Sequence, residues 1–285
     1  MDRVVAVTGA EGFVGRRLCA RLVADGDQVE AWDLPGIDLL DPDSIRAAVA
    51  RARPSVVFNL AATGLRHDKA HDPAVIDVNV RMMANLVNAC DPGTELVHAG
   101  TMSEYGSEGT LSETDTCAPT TAYGIAKLAV TNYAFAYGSR RGLRVRIARL
   151  FGVYGPGEPS HRLFPVLLEN LRAGTPVPLS DGMQQRDFIH VDDVCEGFVR
   201  LSHVEGHDQL LVNLGTGVAT RVRDVAGWIA RGVGADDSLL QFGARDRSPG
   251  DADLIVADVS RLRETLGWVP PQRLRAGMDI TELFA

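Results

Sequence analysis

Two hydrophobic periods alternate along the first 150 residues of the chain. Short apolar runs typical of buried strands are each followed by a segment in which apolar residues recur every three or four positions. The strands are predicted at residues 4–7, 28–32, 54–60, 95–100 and 143–150, and the helices between them at residues 13–24, 45–53, 75–89 and 123–141. Such alternation predicts an α/β fold, built as a Rossmann-type doubly wound parallel sheet.

The alternation weakens after residue 150, where a connector rich in glycine and proline follows. Beyond it, helices are predicted at 161–172, 192–202, 222–231 and 258–266, short strands at 177–179, 185–191 and 210–214, and a loop at 245–251. An earlier loop is predicted at 107–122, before the helix at 123–141. This pattern predicts a smaller C-terminal α+β lobe that caps the sheet. The predicted dinucleotide-binding domain comprises residues 1–156 and 190–214, and the predicted lobe comprises residues 157–189 and 215–285.

The composition is that of an ordinary globular chain of 285 residues, 45% of them hydrophobic and 23% charged. The net charge of −8 argues against a general nucleic-acid partner or an anionic membrane partner. No apolar run approaches the length of a membrane span, and the N-terminus leads straight into a strand instead of a signal peptide. The four cysteines are scattered without a Cys-x-x-Cys pair, which indicates reduced thiols in a cytoplasmic protein.

A glycine turn joins the first predicted strand to the first helix. Gly9, Gly12 and Gly15 have the spacing G-x-x-G-x-x-G. Glycines allow the backbone to approach a pyrophosphate, whose charge is stabilised by the free N–H groups at the helix N-terminus. The turn therefore predicts a nucleotide site, with an ordinary tight turn as the alternative.

A carboxylate, Asp33, ends the second predicted strand. In this position it can accept hydrogen bonds from the hydroxyls of an adenosine ribose and repel a 2′-phosphate. It therefore favours NAD(H), with NADP(H) as the second choice, unless Asp33 is simply a polar residue at the end of a strand. The small residues Ala61 and Ala62 end the third strand and leave room for a cofactor against the backbone.

Tyr123 and Lys127 lie four residues apart on a predicted helix, so both polar tips can point at one ligand. An ammonium close to a phenol favours the phenolate and lowers the phenol pKa, which makes the pair a candidate acid/base. The alternative is a core tyrosine beside a lysine that extends to water. Thr101 and Ser103 follow the fourth strand, where ligands bind in doubly wound sheets, and either could present a hydroxyl to substrate.

These features together resemble the extended short-chain dehydrogenase/reductases that act on nucleotide sugars, the NAD-dependent epimerase/dehydratase family. The resemblance covers nearly the whole chain and implies that the smaller C-terminal lobe is a substrate-binding lobe for the nucleotide sugar. The matching segments are residues 8–15, 59–62, 101–106 and 123–127, followed by residues 149–156, 186–194, 213–217 and 247–251.

The resemblance implies a role for each matching residue. Tyr123 would be the acid/base, Lys127 would hold the nicotinamide ribose, and Thr101 would hydrogen-bond the reacting sugar oxygen. The other cofactor-binding residues would be Gly9, Gly12, Phe13, Val14, Gly15, Asp33, Asp38, Leu39, Leu60, Ala61, Ala62, Asn79 and Leu150. Asn79 could equally be a surface amide. The substrate would contact Thr101, Ser103, Arg162, Arg186 and Arg247, with the last two clamping its diphosphate.

Departures from the family pattern reduce the number of candidate reactions. Family 4,6-dehydratases carry Asp-Glu directly after the catalytic threonine, whereas this chain carries Met102 and Ser103, which argues against a dehydratase. The short connection at residues 33–38 and the segment 157–165 resemble reductases of nucleoside-diphosphate 4-keto-6-deoxyhexoses. Gly152 replaces an asparagine that many family epimerases have.

The favoured hypothesis is a nucleoside-diphosphate 4-keto-6-deoxyhexose 4-ketoreductase that takes hydride from NAD(P)H. A nucleoside-diphosphate-sugar 4-epimerase with tightly bound NAD is the alternative, and Asp33 favours it through the NAD preference. A non-catalytic NAD sensor has no need for the Thr-Tyr-Lys set. A metal hydrolase would depend on His67 and His71, interpreted as solvated loop residues, so no metal is predicted. The resemblance also implies a homodimer through a four-helix bundle.

Overall fold

The computed structural model describes residues 3–64, 72–248 and 250–284. Its strands are β1 (Val4–Thr8), β2 (Gln28–Trp32), β3 (Val56–Asn59), β4 (Glu95–Thr101), β5 (Gly109–Leu111), β6 (Arg144–Leu150), β7 (Gly152–Tyr154), β8 (Val177–Leu179), β9 (Gln185–Arg186), β10 (Phe188–His190), β11 (Gln209–Leu214), β12 (Thr220–Arg221), β13 (Leu240–Phe242) and β14 (Leu254–Ala257). Its helices are α1 (Phe13–Ala24), α2 (Pro42–Ala52), α3 (Ala74–Ala89), α4 (Ala122–Tyr133), α5 (Leu163–Arg172), α6 (Val191–Leu201), α7 (Val222–Gly232), α8 (Ser260–Leu266) and α9 (Ile280–Phe284).

The main sheet has six parallel strands in the order β2-β1-β3-β4-β6-β11. The chain leaves β1 toward one edge, forms β2, and then crosses to the other side of β1 to form β3. The direction of winding therefore changes between β1 and β3, and the crevice outside the carboxyl ends of these two strands is where open α/β sheets bind ligands. The predicted Rossmann-type α/β class is confirmed.

Helices cover both faces of this sheet because strand side chains alternate in direction. In β1, Val5 and Val7 pack in a core that includes residues of α1 and α6, whereas Ala6 packs in a second core. That second core includes residues of α2, α3 and α4. Each strand thus contributes to two apolar layers, which explains the nearly continuous hydrophobic runs of the sequence.

The helix α4 begins at its N-cap Thr121, whose side chain accepts a hydrogen bond from Gly124 N at 3.0 Å. This start places Tyr123 in the first turn and Lys127 one turn further on. The helix continues through a π-helical turn at Ala134–Gly138, in agreement with the predicted end near residue 141.

A third apolar core lies in the C-terminal part of the chain and includes Tyr154, Phe164, Phe188 and Ile229. Beside it stand a four-stranded sheet in the order β12-β9-β14-β5 and two two-stranded pairs, β10-β7 and β13-β8. A separate core is consistent with the predicted lobe, although its boundary at residue 156 stays a prediction.

The loop predicted at residues 107–122 is wrong in part, because β5 lies within it and pairs with β14. The strands β13 and β14 and the helix α9 are also absent from the predicted pattern. These elements are three to five residues long, too short to show a period of their own. Within the described part of the chain, no helix is both long and apolar enough to cross a membrane.

Candidate active site

The glycine turn forms a tight connection at the sheet's switch point. Gly9 has a φ of +66°, which favours glycine, and its N–H donates to Trp32 O at 3.0 Å. A Cβ added at Gly15 would lie 2.1 Å from the Gly9 carbonyl oxygen, so only glycine fits there. The helix α1 starts after Gly12 without a side-chain cap, and Phe13 and Val14 lie in its first turn. The open N-terminus and the bare turn suit a dinucleotide pyrophosphate.

The Asp33 carboxylate fastens the glycine turn to the end of β2. Its Oδ2 accepts a hydrogen bond from Glu11 N and its Oδ1 accepts one from Leu34 N, both at 2.9 Å. Each carboxylate oxygen can accept more than one hydrogen bond, so Asp33 retains the capacity to hold ribose hydroxyls. The predicted NAD-binding role is therefore compatible with its position.

The residues after β2 and β3 form the borders of the crevice. Asp38 is exposed and accepts a hydrogen bond from Leu40 N at 2.8 Å, whereas Leu39 is 7% exposed and packs in the core. Leu39 therefore offers little side-chain surface to an adenine ring. A Cβ at Gly9 would lie 3.0 Å from Ala61 backbone atoms, so the ends of β1 and β3 approach closely at this point. Leu60 and Ala62 flank Ala61 and are half-buried.

Asn79 is a buried amide of α3 rather than a surface residue. Its Oδ1 accepts a hydrogen bond from Thr63 N at 3.1 Å, and its Nδ2 donates to Thr63 O at 3.1 Å and to Val75 O at 2.7 Å. These contacts use both donors of the amide. Asn79 thus fixes the chain just after β3, and a direct contact with cofactor stays a prediction.

Thr101 ends β4 and begins a tight 3-10 turn at Met102–Glu104. Its hydroxyl oxygen accepts a hydrogen bond from Ser103 N at 3.2 Å. The Glu104 side chain accepts from Thr101 N at 2.9 Å, which completes a capping box. Leu150 of β6 pairs with Thr101 in the sheet register and so lies beside it.

Glu104 is a fully buried carboxylate in contact with the backbone of Thr101. Its Oε2 accepts hydrogen bonds from the Thr131 hydroxyl at 3.0 Å and from Arg149 Nε at 2.9 Å. The Arg149 guanidinium also stacks over the Tyr105 ring, 4.4 Å from the centroid. The buried ion pair of Glu104 and Arg149 therefore helps to fix the end of β4 at Thr101.

Tyr123 lies close enough to Thr101 for the threonine to act on the phenol pKa, so the predicted hydroxyl and phenol are brought together. Burial, and next the charge of Glu104, raise the pKa of Tyr123, while Arg162 and Thr101 act in the opposite direction. The sequence predicted that Lys127 would lower the pKa of Tyr123 below its ordinary value. This prediction is wrong, because the overall shift is upward. The spacing of two residues on a helix contains no information about burial or about the carboxylate beneath them.

Lys127 is buried, with 3% exposure, and does not extend to water. Its Nζ lies 3.0 Å from Nε2 of His98, which is also buried. Burial lowers the pKa of Lys127 to about 8, although the Glu104 carboxylate acts to raise it. At neutral pH the charged ammonium form of Lys127 is therefore only moderately favoured over the neutral amine.

Each predicted substrate arginine has an acidic partner. Arg162 Nε lies 3.1 Å from Glu158 Oε1, and burial raises the pKa of that carboxyl to about 7. Arg186 pairs with Asp251. A diphosphate would have to replace or share this carboxylate partner.

The second clamp residue, Arg247, also has acidic partners. It donates to Asp181 at 2.9 Å and contacts Asp253. A cleft of about 450 Å³ has Ser103 and Asp251, the partner of Arg186, in its wall. The clamp therefore stays a prediction, whereas Ser103 does face a cavity of suitable size for part of a ligand.

Sequence reasoning missed the site residues His98, Glu104 and Arg149. His98 interrupts an otherwise apolar strand, and a polar residue in a buried strand is a signal of a specific partner. The other two gave no such signal, because a charged pair on separate elements is recognised only from strand register. His67 and His71 lie outside the described residues.

Fold and site together are those of an extended short-chain dehydrogenase/reductase. Residues 5–215 match the profile described as "NAD dependent epimerase/dehydratase family". The chain therefore belongs to the NAD-dependent epimerase/dehydratase family, and the predicted class of enzyme is confirmed.

Relatives of known name span nearly the full length of the chain. The dTDP-6-deoxy-L-talose 4-dehydrogenase (NAD(P)(+)) of Kitasatospora kifunensis is 30% identical, covering 95% of this chain and 92% of the relative. The UDP-glucose 4-epimerase of Mycolicibacterium smegmatis is also 30% identical, covering 98% and 97%. The structure of Thermus thermophilus UDP-glucose 4-epimerase in complex with NAD is 26% identical with a TM-score of 0.85, covering 98% and 97%.

Proposed function

We propose that this protein is a nucleotide-sugar 4-ketoreductase, which reduces a nucleoside-diphosphate 4-keto-6-deoxyhexose with NAD(P)H. The observation that carries the proposal is the approach of Tyr123 to Thr101 at the carboxyl end of β4. The buried Lys127 follows one helical turn after Tyr123. A hydroxyl, a phenol and an ammonium in this arrangement can bind a carbonyl oxygen and protonate it.

The chain's own residues fit a dinucleotide. The turn that only glycine can form at Gly15, the uncapped start of α1 and the free acceptor capacity of Asp33 support pyrophosphate and ribose binding. When bound, the nicotinamide ring supplies the hydride to carbon 4 of the sugar. The protein must then hold the sugar oxygen and supply the proton.

Tyr123 is suited to act as the acid. Because burial and Glu104 raise the pKa of its phenol, Tyr123 retains its proton at neutral pH and can give it from Oη to the sugar oxygen. The Thr101 hydroxyl holds the same oxygen in line with the phenol. The Lys127 ammonium adds a positive charge that favours the phenolate left behind.

The name of one relative supports the direction of reaction. The Kitasatospora relative is named as a 4-dehydrogenase of a 6-deoxy sugar nucleotide, which is the same interconversion written in the oxidative direction. Met102 and Ser103 stand where dehydratases carry Asp-Glu, and this argues against water elimination.

A nucleotide-sugar 4-epimerase is the second candidate. The relative from Mycolicibacterium smegmatis has that name and matches this chain over nearly its full length. Asp33 supports NAD, the cofactor that an epimerase retains, and hydride transfer at carbon 4 is common to both reactions.

On the substrate side we assign the diphosphate to Arg186 and Arg247. Both guanidinium groups are paired with carboxylates, one half-buried and one exposed, and a dianionic diphosphate is a stronger partner for them than a single aspartate. Arg162 lies close enough to oppose the raised pKa of Tyr123, which favours a contact near the sugar. A homodimer is part of the same proposal, and sedimentation equilibrium tests it.

One experiment separates the two candidates. The protein is incubated with dTDP- and UDP-linked 4-keto-6-deoxyhexoses and hexoses, with and without NADH or NADPH deuterated at carbon 4. A ketoreductase consumes one reduced cofactor per product and delivers deuterium to carbon 4 of the sugar, as seen by NMR. Interconversion of hexoses without added or consumed cofactor would instead identify an epimerase. The Tyr123→Phe variant is the control for turnover by a contaminant.

A further inference from the structure

A row of buried polar side chains crosses the main sheet just before the strands end. Thr8, Asn59 and His98 occupy matched positions of β1, β3 and β4 in the sheet register. None of them is more than 4% exposed. Their side chains therefore lie next to one another on one face, the face that α4 covers with Lys127.

Contacts of hydrogen-bond length join the neighbouring residues of this row. The Thr8 hydroxyl donates to Asn59 Oδ1 at 2.7 Å and accepts from Leu60 N and Ala61 N at 3.2 Å. The Asn59 carbonyl oxygen and side-chain nitrogen each lie 3.1 Å from Nδ1 of His98. The row thus runs from the backbone beside the glycine turn to the imidazole ring.

The two ring nitrogens of His98 have different tasks. A proton on Nδ1 can be donated to the Asn59 carbonyl oxygen, which leaves a lone pair on Nε2. That lone pair lies 3.0 Å from Lys127 Nζ, and an ammonium can only donate. Burial, and next the charge of Lys127, keep the pKa of His98 well below its ordinary value, so the ring is neutral.

We propose that His98 is a positioning residue, whose Nδ1–H is held by the Asn59 carbonyl oxygen and whose Nε2 fixes the Lys127 ammonium on the helix turn after Tyr123. The proposal rests on the proposed function for what Lys127 does in catalysis. The hydrogen-bond geometry itself is independent of the substrate.

A neutral acceptor has a specific advantage at this place. A carboxylate in contact with Lys127 would hold the amine, but it would also cancel the positive charge that favours the phenolate of Tyr123. An imidazole fixes the direction of the amine and leaves its charge in place. The acidic group that does face Lys127 is Glu104, which acts on its pKa through space and pairs directly with Arg149.

A buried histidine that merely fills the core is the alternative, and the composition of the chain allows a clean test. Only two of the 29 cationic residues are lysines, Lys69 and Lys127. Lysine labelled with carbon-13 at the ε position therefore gives two NMR signals, and the Lys69→Arg variant assigns them. The pH titration of the Lys127 signal measures its pKa without substrate, cofactor or turnover.

The matched variants are His98→Leu, which keeps the volume but removes the acceptor, and His98→Gln, whose amide oxygen can replace Nε2. We expect Lys127 to titrate near pH 8 in the wild type. In His98→Leu its pKa should fall by about one to two units, because a hydrogen bond to a charged group is lost. His98→Gln should restore most of that difference. The kcat of the reaction should fall about tenfold to a hundredfold in His98→Leu and recover in His98→Gln.

A Lys127 titration that is unchanged in His98→Leu would overturn the proposal, as would a His98→Gln variant that behaves like His98→Leu. If His98→Leu does not fold, the wild type provides the decision through the nitrogen-15 shifts of its imidazoles. A proton on Nδ1 and a bare Nε2 at His98 support the proposal, and the opposite tautomer refutes it. Absence of ketoreductase activity with an intact effect on Lys127 would instead reject the proposed function alone.

Discussion

Replacing Glu104 with glutamine tests whether the buried carboxylate sets both the stability and the protonation of the site. Glu104 has no solvent exposure and accepts hydrogen bonds from Thr101 N, the Thr131 hydroxyl and Arg149 Nε. Glutamine keeps the shape and the acceptor toward Thr101 but removes the charge. The Arg149 side chain, 4% exposed, is then left without its counter-charge.

The magnitudes follow from this geometry. Breaking a buried ion pair by removing one partner costs about 3 to 5 kcal/mol of unfolding free energy. The Glu104 charge raises the pKa of both Tyr123 and Lys127, so its removal should lower both, by about one unit for a charge a few ångströms away. The charged form of Lys127 is lost as pH rises through its pKa near 8. The alkaline fall of kcat should therefore move to lower pH in Glu104→Gln.

The assay is kcat against pH, together with unfolding in guanidinium chloride. Glu95→Gln is a matched control, because Glu95 forms a buried pair with Arg146 at 3.4 Å at the other end of β4. We expect both variants to lose stability and only Glu104→Gln to shift the pH profile. An unchanged alkaline limb in Glu104→Gln, or an equal shift in Glu95→Gln, would refute the electrostatic account of the site.

Four further expectations follow from the same site. Tyr123→Phe should lower kcat by about 10²- to 10⁴-fold while NAD(H) still binds, and a variant with most of its activity would remove the acid role. Arg186→Ala and Arg247→Ala should weaken sugar-nucleotide binding about tenfold to a hundredfold by calorimetry without affecting NAD(H); unchanged affinity would contradict the diphosphate clamp. Asp33 should give a smaller Kd for NAD(H) than for NADP(H), and the opposite order would show that this carboxylate does not select the cofactor. Gly15→Ala should weaken NAD(H) binding strongly, since its Cβ would lie 2.1 Å from the Gly9 oxygen; an unaltered Kd would mean that the turn can open without loss.

Much of the main sheet could be predicted because its signals are local. The helix Phe13–Ala24 and the strand Gln28–Trp32 have the predicted bounds, since apolar periodicity and flanking glycines define them within a few residues. The strand β5 could not be predicted in this way. Its three residues pair with β14, more than 140 positions later, and nothing near them in the sequence marks the pairing.

In the site, too, features marked by local motifs could be predicted, and features set by distant contacts could not. The approach of Thr101 and Tyr123 followed from strand and helix positions that the motifs mark. The raised pKa of Tyr123 and the partners Glu104 and His98 did not follow, because burial and register decide them. A pattern of residue types shows which groups are present, whereas the electrostatic environment of each group depends on elements that are far apart along the chain.

The pairing of β5 with β14 has a consequence for the molecule as a whole. The segment between the Thr101 turn and α4 supplies one strand to a sheet whose other strands all come from residues beyond 184. Neither portion is complete without the other, so denaturation should proceed as one cooperative event, and a fragment ending near residue 156 would expose an unpaired edge prone to association. The segment that follows Thr101 is thereby anchored at β5 as well as at its two ends.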